Sequence, residues 1–275
     1  MKKGLAIVLS AGMIMGMAMP ACAADADMVY AVEAGSAGEA AAEEKGFQYN
    51  SVASQADALM EVASGTSDAA IIDLLMAGAM IGEGTSYPNL VHTEELTTEE
   101  YGVGCRKGSD LAAYINEVFA ETYADGSMKE LAEKYGVQDA LVEQSTEEDT
   151  TEVTEEETED ATEAATEAAE DSDVAYIQEK GSLIVGITDF EPMDYKDENG
   201  DWIGFDADMA GVVAEKLGVD VEFVEIDWDN KIMELDSKNI DVVWNGMTLT
   251  DEVTNSMECT NAYCNNAQVV VVPAE

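Results

Sequence analysis

Residues 146–171 read TEEDTTEVTEEETEDATEAATEAAED, a run with no lysine, arginine, aromatic, glycine or proline. It offers no apolar face to pack, and its carboxylates repel one another, so it predicts a solvated linker, placed at 141–173 with its flanks. Alanine and glutamate are good helix formers, which leaves a helical reading of ATEAATEAAED open. Because the run lies mid-chain, any fold must be assembled from the two stretches beside it. From Glu143 to Asp173 there are 15 acidic residues and no basic ones, about a third of the excess in a 275-residue chain of net charge -47. Such a surface repels nucleic-acid phosphates, and anionic membranes equally. The apolar fraction of 47% is ordinary for a globular protein, and the length suffices for two lobes.

The N-terminus, MKKGLAIVLSAGMIMGMAMPACAADAD, has two lysines, an uncharged apolar run and then small residues. This predicts a secretory signal peptide over 1–23, too short to span a membrane. Ala21-Cys22-Ala23 fits a cleavage site, and Cys22 is alternatively a lipidation site; either route places the mature protein outside the cytoplasm. Of the remaining cysteines, Cys259 and Cys264 could pair, or all three with Cys105 stand as small buried hydrophobes. The single histidine, His92, is expected at the end of a surface strand. It leaves no Ser-His-Asp or Cys-His constellation and no histidine-rich metal site, and no phosphate-cradling glycine motif occurs. No metal and no cofactor are expected. DENGD (197–201) resembles the start of a calcium loop, but Trp202 stands where the glycine belongs, so Asn199-Gly200 predicts a hairpin.

Downstream of the linker, SLIVGI, VDVEFVEI, IDVVWNG and AQVVVV read as strands. FDADMAGVVAEKLG reads as a helix capped by Asp206 or Asp208 and stopped at Gly218, WDNKIMELDSKN as a second helix, and MTLTDEV as a loop. Upstream, VYAVEAG, QYNSV, DAAIID and YGVGCRKGSD read as strands. SAGEAAAEEKG reads as a helix with a Ser36/Glu39 capping box, SQADALMEVASG and LLMAGAMIG as further helices, and residues 111–136 as a helical pair broken at Asp125-Gly126. Strands alternating with helices on both sides imply α/β lobes whose ligands sit at strand carboxyl ends.

LIVGITDFEPMDYKDENGDWIGFDADMAGVVAEKLGVDVEFVEIDWDNKIMELDSKNIDVVWNGMTLT resembles the first lobe of the amino-acid-binding proteins of ABC transporters, solute-binding protein family 3. YAVEAGSAGEAAAEE, ALMEVASGTSDAAIID and residues 99–136 resemble that family's second lobe, return hinge strand and closing helices. The resemblance implies the two-lobed type II periplasmic-binding-protein (Venus flytrap) fold in circularly permuted order. The second lobe comes at 28–100, a hinge strand at 101–106 and closing helices on the first lobe at 107–140. The first lobe follows at 174–266, and a second hinge strand at 267–275. It implies a monomer that carries an amino acid or similar solute to the permease subunits of an importer. Asp73 matches the family's ammonium-binding carboxylate, with Thr248 and the backbone at Asn245 and Gly246 as further acceptors. Ser36, Ala37 and Gly38 open a helix whose N–H groups suit a carboxylate. Phe190 matches the ring that stacks on the ligand, and Asp189 beside it joins the implied ligand-binding set. The family's carboxylate-binding arginine is replaced by Val253, which weakens the case for an α-amino acid. Trp202 and Trp228 are expected to pack within the lobe, with Trp244 open. The alternatives are a dehydratase of the cyclohexadienyl type on the same fold, with Asp189 or Glu191 as its acid, and a rearranged gene product that binds nothing.

Overall fold

The computed structural model describes residues 27–145 and 172–274; the expected signal peptide with Cys22, and residues 146–171 of the linker, lie outside the described residues. Two five-stranded sheets form two lobes. The first holds β1 (Val29–Glu33), β2 (Gln48–Val52), β3 (Ala69–Asp73), β4 (Leu90–Glu95) and β14 (Gln268–Pro273), in the order β2-β1-β3-β14-β4. β1 runs parallel to β2 and β3, while β14 is antiparallel to β3 and β4. All five residues of β3, AAIID, are buried, as expected of a strand flanked on both edges and covered by helices. Those helices are α1 (Ala37–Lys45), α2 (Gln55–Ser64) and α3 (Leu74–Met80). At the start of α1 the Ser36 hydroxyl accepts the Glu39 N–H (3.1 Å), and the Glu39 carboxylate reaches back to the Gly35 N–H (2.7 Å). This is a capping box whose return bond falls one residue early.

The second sheet holds β6 (Gly104–Cys105), β7 (Ser182–Ile187), β10 (Asp220–Glu225), β11 (Val242–Val243) and β12 (Glu258–Cys259), in the order β10-β7-β11-β6-β12. Its helices are α4 (Leu111–Asp125), α5 (Ser127–Tyr135), α6 (Asp173–Lys180), α7 (Phe205–Leu217), α8 (Lys231–Asp236) and α9 (Asp251–Ser256). α4 and α5, divided at Gly126, pack on α7, and Phe119 of α4 meets Trp244 and Tyr263 edge-on or tilted at 5.6 Å. Trp244 therefore belongs to the core.

Each sheet takes one strand from the chain segment that builds the other. The chain crosses from β5 (Glu99–Tyr101) to β6, and again from β13 (Cys264–Asn266) to β14, and β5 pairs antiparallel with β13 between the lobes. Val271 of β14 lies opposite Ala70 of β3, which lies opposite Ala31 of β1. The end of β14 and the start of β1 thus share one edge of the sheet, two strand spacings or about 10 Å apart.

Several sequence expectations need correction. IDVVWNG yields only the two-residue β11, because Asp241 turns its carboxylate to the Ile184 N–H (2.8 Å) and to Lys180 and Arg106, while Asn245 clasps Thr188. The MTLTDEV loop ends in α9, capped by the Thr250 hydroxyl. α7 is not capped by an aspartate: it starts from Gly204 (φ 134), where a Cβ would lie 2.0 Å from the Met193 carbonyl, and Asp206 points into the core. Residues 141–144 and 172–173, expected in the linker, are held on the body. The Val142 N–H reaches the Tyr263 carbonyl (2.9 Å), and Arg106 grips Asp173 (2.8 Å). His92 is exposed within β4, not at its end. Cys105, Cys259 and Cys264 are all free. The hairpin β8 (Tyr195–Lys196) to β9 (Trp202–Ile203) forms, with a five-residue loop closed by the Asp197 carboxylate on the Asn199 and Asp201 N–H groups.

Candidate functional site between the lobes

A cavity of about 30 Å³ lies between the lobes, lined by Glu33, Ser36, Ala37, Gln55 and Asp73 on one side. Trp228, Lys231, Val253 and the turn Asn245–Thr248 line the other. That is space for one or two waters, so the lobes are shut on each other. The Lys231 ammonium donates across the gap to the Gly35 carbonyl (2.8 Å), and Gly35 (φ 69) packs so closely that a Cβ would lie 2.8 Å from Asp229 Cα.

Asp73 ends β3 and faces the cavity, but its oxygens are already occupied. Oδ1 accepts from Tyr101 Oη (2.6 Å), Gln268 Nε2 (3.1 Å) and the Asn266 amide, and Oδ2 accepts from the Gln55 amide. Its own N–H donates to Gln55 Oε1 (2.9 Å). Four neutral donors and no cation surround a buried carboxyl, and burial, reinforced by nearby Glu99, pushes it up to about 7. A ligand ammonium would have to displace Gln55 to reach it. Glu99 itself accepts from Thr248 Oγ1 (3.0 Å) and Gln268 Nε2 (3.0 Å), so the Thr248 hydroxyl is committed to the crossing strands.

Asn245 and Gly246 are at the cavity, with their polar groups engaged behind it. The Asn245 amide exchanges two bonds with Thr188 (3.0 and 2.7 Å), and the Gly246 N–H donates to buried Asp206 (2.7 Å). Ser36 and Ala37 line the cavity. Gly38 does not: a Cβ there would meet the Ile71 carbonyl at 2.9 Å, and its role is close packing of α1 on the sheet. Phe190 is also outside the cavity. Its buried ring packs beneath Gly246, where a Cβ would lie 2.4 Å away, and edge-on to Tyr101 at 6.3 Å. Asp189 is exposed in a second recess at the interlobe mouth, with Asp57, Glu225 and Asp227. Glu191 is half-buried and lines neither recess.

Two ionisable cavity residues, Glu33 and Lys231, escaped the sequence reading, as did the lining residues Gln55, Met247 and Thr250. Glu33 is 3% exposed, its Oε1 has no partner, and burial first, then Asp73, pushes its carboxyl up to about 8. Lys231 is 8% exposed, and burial lowers its ammonium. Glu33 lies at the end of a strand that reads as structural, and Lys231 at the start of a short helix, so only the meeting of lobes brings them together. Trp228 both packs in its lobe and walls the cavity.

The family model for bacterial extracellular solute-binding proteins, family 3, matches residues 183–275. The L-cystine-binding protein TcyJ of Escherichia coli (strain K12) is 33% identical over 88 residues, 32% of this chain and 33% of that protein. The L-cystine-binding protein TcyA of Bacillus subtilis (strain 168) is 37% identical over 105 residues, 37% of this chain and 39% of that protein. Among solved structures, an ancestral cationic amino acid solute-binding protein (AncCDT-1) is 42% identical, covering 30% of this chain and 37% of that one, with a TM-score of 0.30. The chain spans about a third of the length of the curated relatives it matches. Over residues 183–275, which supply the second sheet except β6 and the first residue of β7, and the strand returning to the first sheet, the chain is similar to the bacterial extracellular solute-binding proteins, family 3.

Proposed function

We propose that the chain is an extracytoplasmic solute-binding protein that captures an amino acid, or a similar small polar solute, between its two lobes for delivery to an ABC importer. The observation that carries this is the interlobe cavity, where ionisable and polar groups from both lobes converge beside two crossing strands. Opening about those strands would expose Asp73, Glu33 and Lys231 to solvent, and closing would bury a solute among them. The names of the family-3 relatives support an amino acid as the solute. The protein acts as a monomer, secreted or anchored through Cys22, and reaches the permease subunits of its importer. The shared sheet edge of β14 and β1 supports a permuted order of the family's lobes, since a short connector would join them. Neither carboxyl named for the dehydratase alternative lines the cavity, so binding without turnover is the reading the geometry favours.

A thermal-shift screen against the L-amino acids, L-cystine included, tests it. A ligand at a hundred times its dissociation constant stabilises by about 2.7 kcal/mol. One or more amino acids should raise the melting temperature, and no shift with any of them would overturn the proposal.

A further inference from the structure

We infer that Lys231, together with the first turn of α1 and the Glu33 carboxyl, forms the anion end of the interlobe site and takes the ligand's carboxylate. This rests on the reading of the cavity as the solute site. Lys231 is the first residue of α8, buried beside Trp228 and Val253. Its Nζ donates to two carbonyls, Gly35 of the opposite lobe (2.8 Å) and Trp228 (3.2 Å). An ammonium has three donors, so one N–H is left for the cavity.

Lys231 makes no ion pair among the described residues, whereas Lys134, Lys180, Lys196 and Lys216 each do. Glu252, Glu33, Asp229 and Glu39 act on it only through space, and burial outweighs them in lowering its ammonium. A buried cation without a counter-charge is costly, and an incoming carboxylate would supply that charge.

Two further donors face the same space. Ala37 opens α1 at the cavity wall, and the first N–H groups of a helix have no intrahelical acceptor, whereas the Ser36 N–H is spent on the Glu33 carbonyl (3.2 Å). Glu33 Oε1 is buried, unpartnered and in the cavity lining. Because its carboxyl titrates near 8, it carries a proton at neutral pH and can donate an O–H to a carboxylate oxygen. Ammonium, helix terminus and carboxylic acid therefore converge, and the arginine absent at Val253 is replaced in charge by a lysine from a different helix. The cation end then falls to Asp73, which a ligand ammonium reaches by displacing the Gln55 amide.

The test compares amino acids with the amines that lack only the carboxylate: L-arginine with agmatine, L-lysine with cadaverine, L-histidine with histamine and L-cystine with cystamine. Calorimetry on the full chain should show wild type binding at least one amino acid more tightly than its amine. Lys231→Met should lose about thirtyfold in amino-acid affinity relative to the amine, the low end for truncating one partner of a buried charge pair. Lys231→Arg should recover most of that loss. An amine bound as tightly as its amino acid by wild type overturns the assignment without any variant. So does a folded Lys231→Met chain that keeps its amino-acid preference. Any other L-amino acid that raises the melting temperature is compared with its own decarboxylated amine in the same way, and wild type that binds no L-amino acid overturns the proposed function itself.

Discussion

Replacing Glu33 with glutamine should change how stability depends on pH. Glu33 is almost wholly buried, Oε1 has no partner, and the carboxyl is pushed from the ordinary 4.5 up to about 8. Between those values the folded state holds a proton that the unfolded state has released, so stability falls as pH rises. At 1.36 kcal/mol per pH unit, ionisation costs about 3 kcal/mol at pH 7 and about 5 kcal/mol at pH 9, and nothing below pH 4.5. These are upper limits, because Asp73 titrates over an overlapping range and shares part of the repulsion. Glutamine keeps the shape and stays neutral throughout. Glu33→Gln should therefore match wild type near pH 4.5 and exceed it by several kcal/mol at pH 9. Urea denaturation of both chains at pH 4.5, 7 and 9 reads the difference directly, and carboxylates remote from Glu33 cancel. A stability difference that stays constant across that range would refute the assignment of a protonated Glu33.

Four further outcomes follow from the packing. Asp173→Asn should cost about 3 kcal/mol by leaving the buried Arg106 without its principal partner, and should loosen α6 in hydrogen exchange. Gly246→Ala should destabilise by at least about 1 kcal/mol in urea titration, because φ is 56 and the new methyl would meet Phe190 at 2.4 Å. Val253→Arg should lower the melting temperature, since Val253 packs with Met247 and Met257 in a satellite core that cannot solvate a guanidinium. A chain reordered as 172–273, a short connector and 29–145 should fold with the same two sheets, judged by an unchanged near-ultraviolet circular dichroism spectrum.

Local patterns were enough to read the long elements. β1, β3, β7 and β14 are apolar runs, and α1, α2, α5 and α7 end on glycines with positive φ. What was illegible depends on contacts between distant segments. β11 shortens because Asp241 and Asn245 spend their polar groups on β7 and Thr188, which no window around residue 243 contains. Asp206 looks like a helix cap, yet its carboxylate serves the Gly246 N–H and Tyr263, 40 and 57 residues away. Phe190 matches the family's stacking ring, and only the structure shows that it packs against Gly246 outside the cavity lining. The resemblance pointed to Asp73 and the 245–248 turn, which do reach the cavity, but it carries no signal for Glu33 or Lys231. Their significance is electrostatic, and it appears only when the lobes face one another.

The central claim is that two lobes close on a small polar solute. Met60 on α2 and Met233 on α8 are 55% and 58% exposed, one on each lobe, and suit spin labels as Met60→Cys and Met233→Cys in a chain whose four native cysteines are replaced by alanine. The distance distribution between the labels should be broad in buffer and should narrow and shorten on adding the amino acid that raises the melting temperature. A distribution unmoved by saturating amino acid would contradict the account.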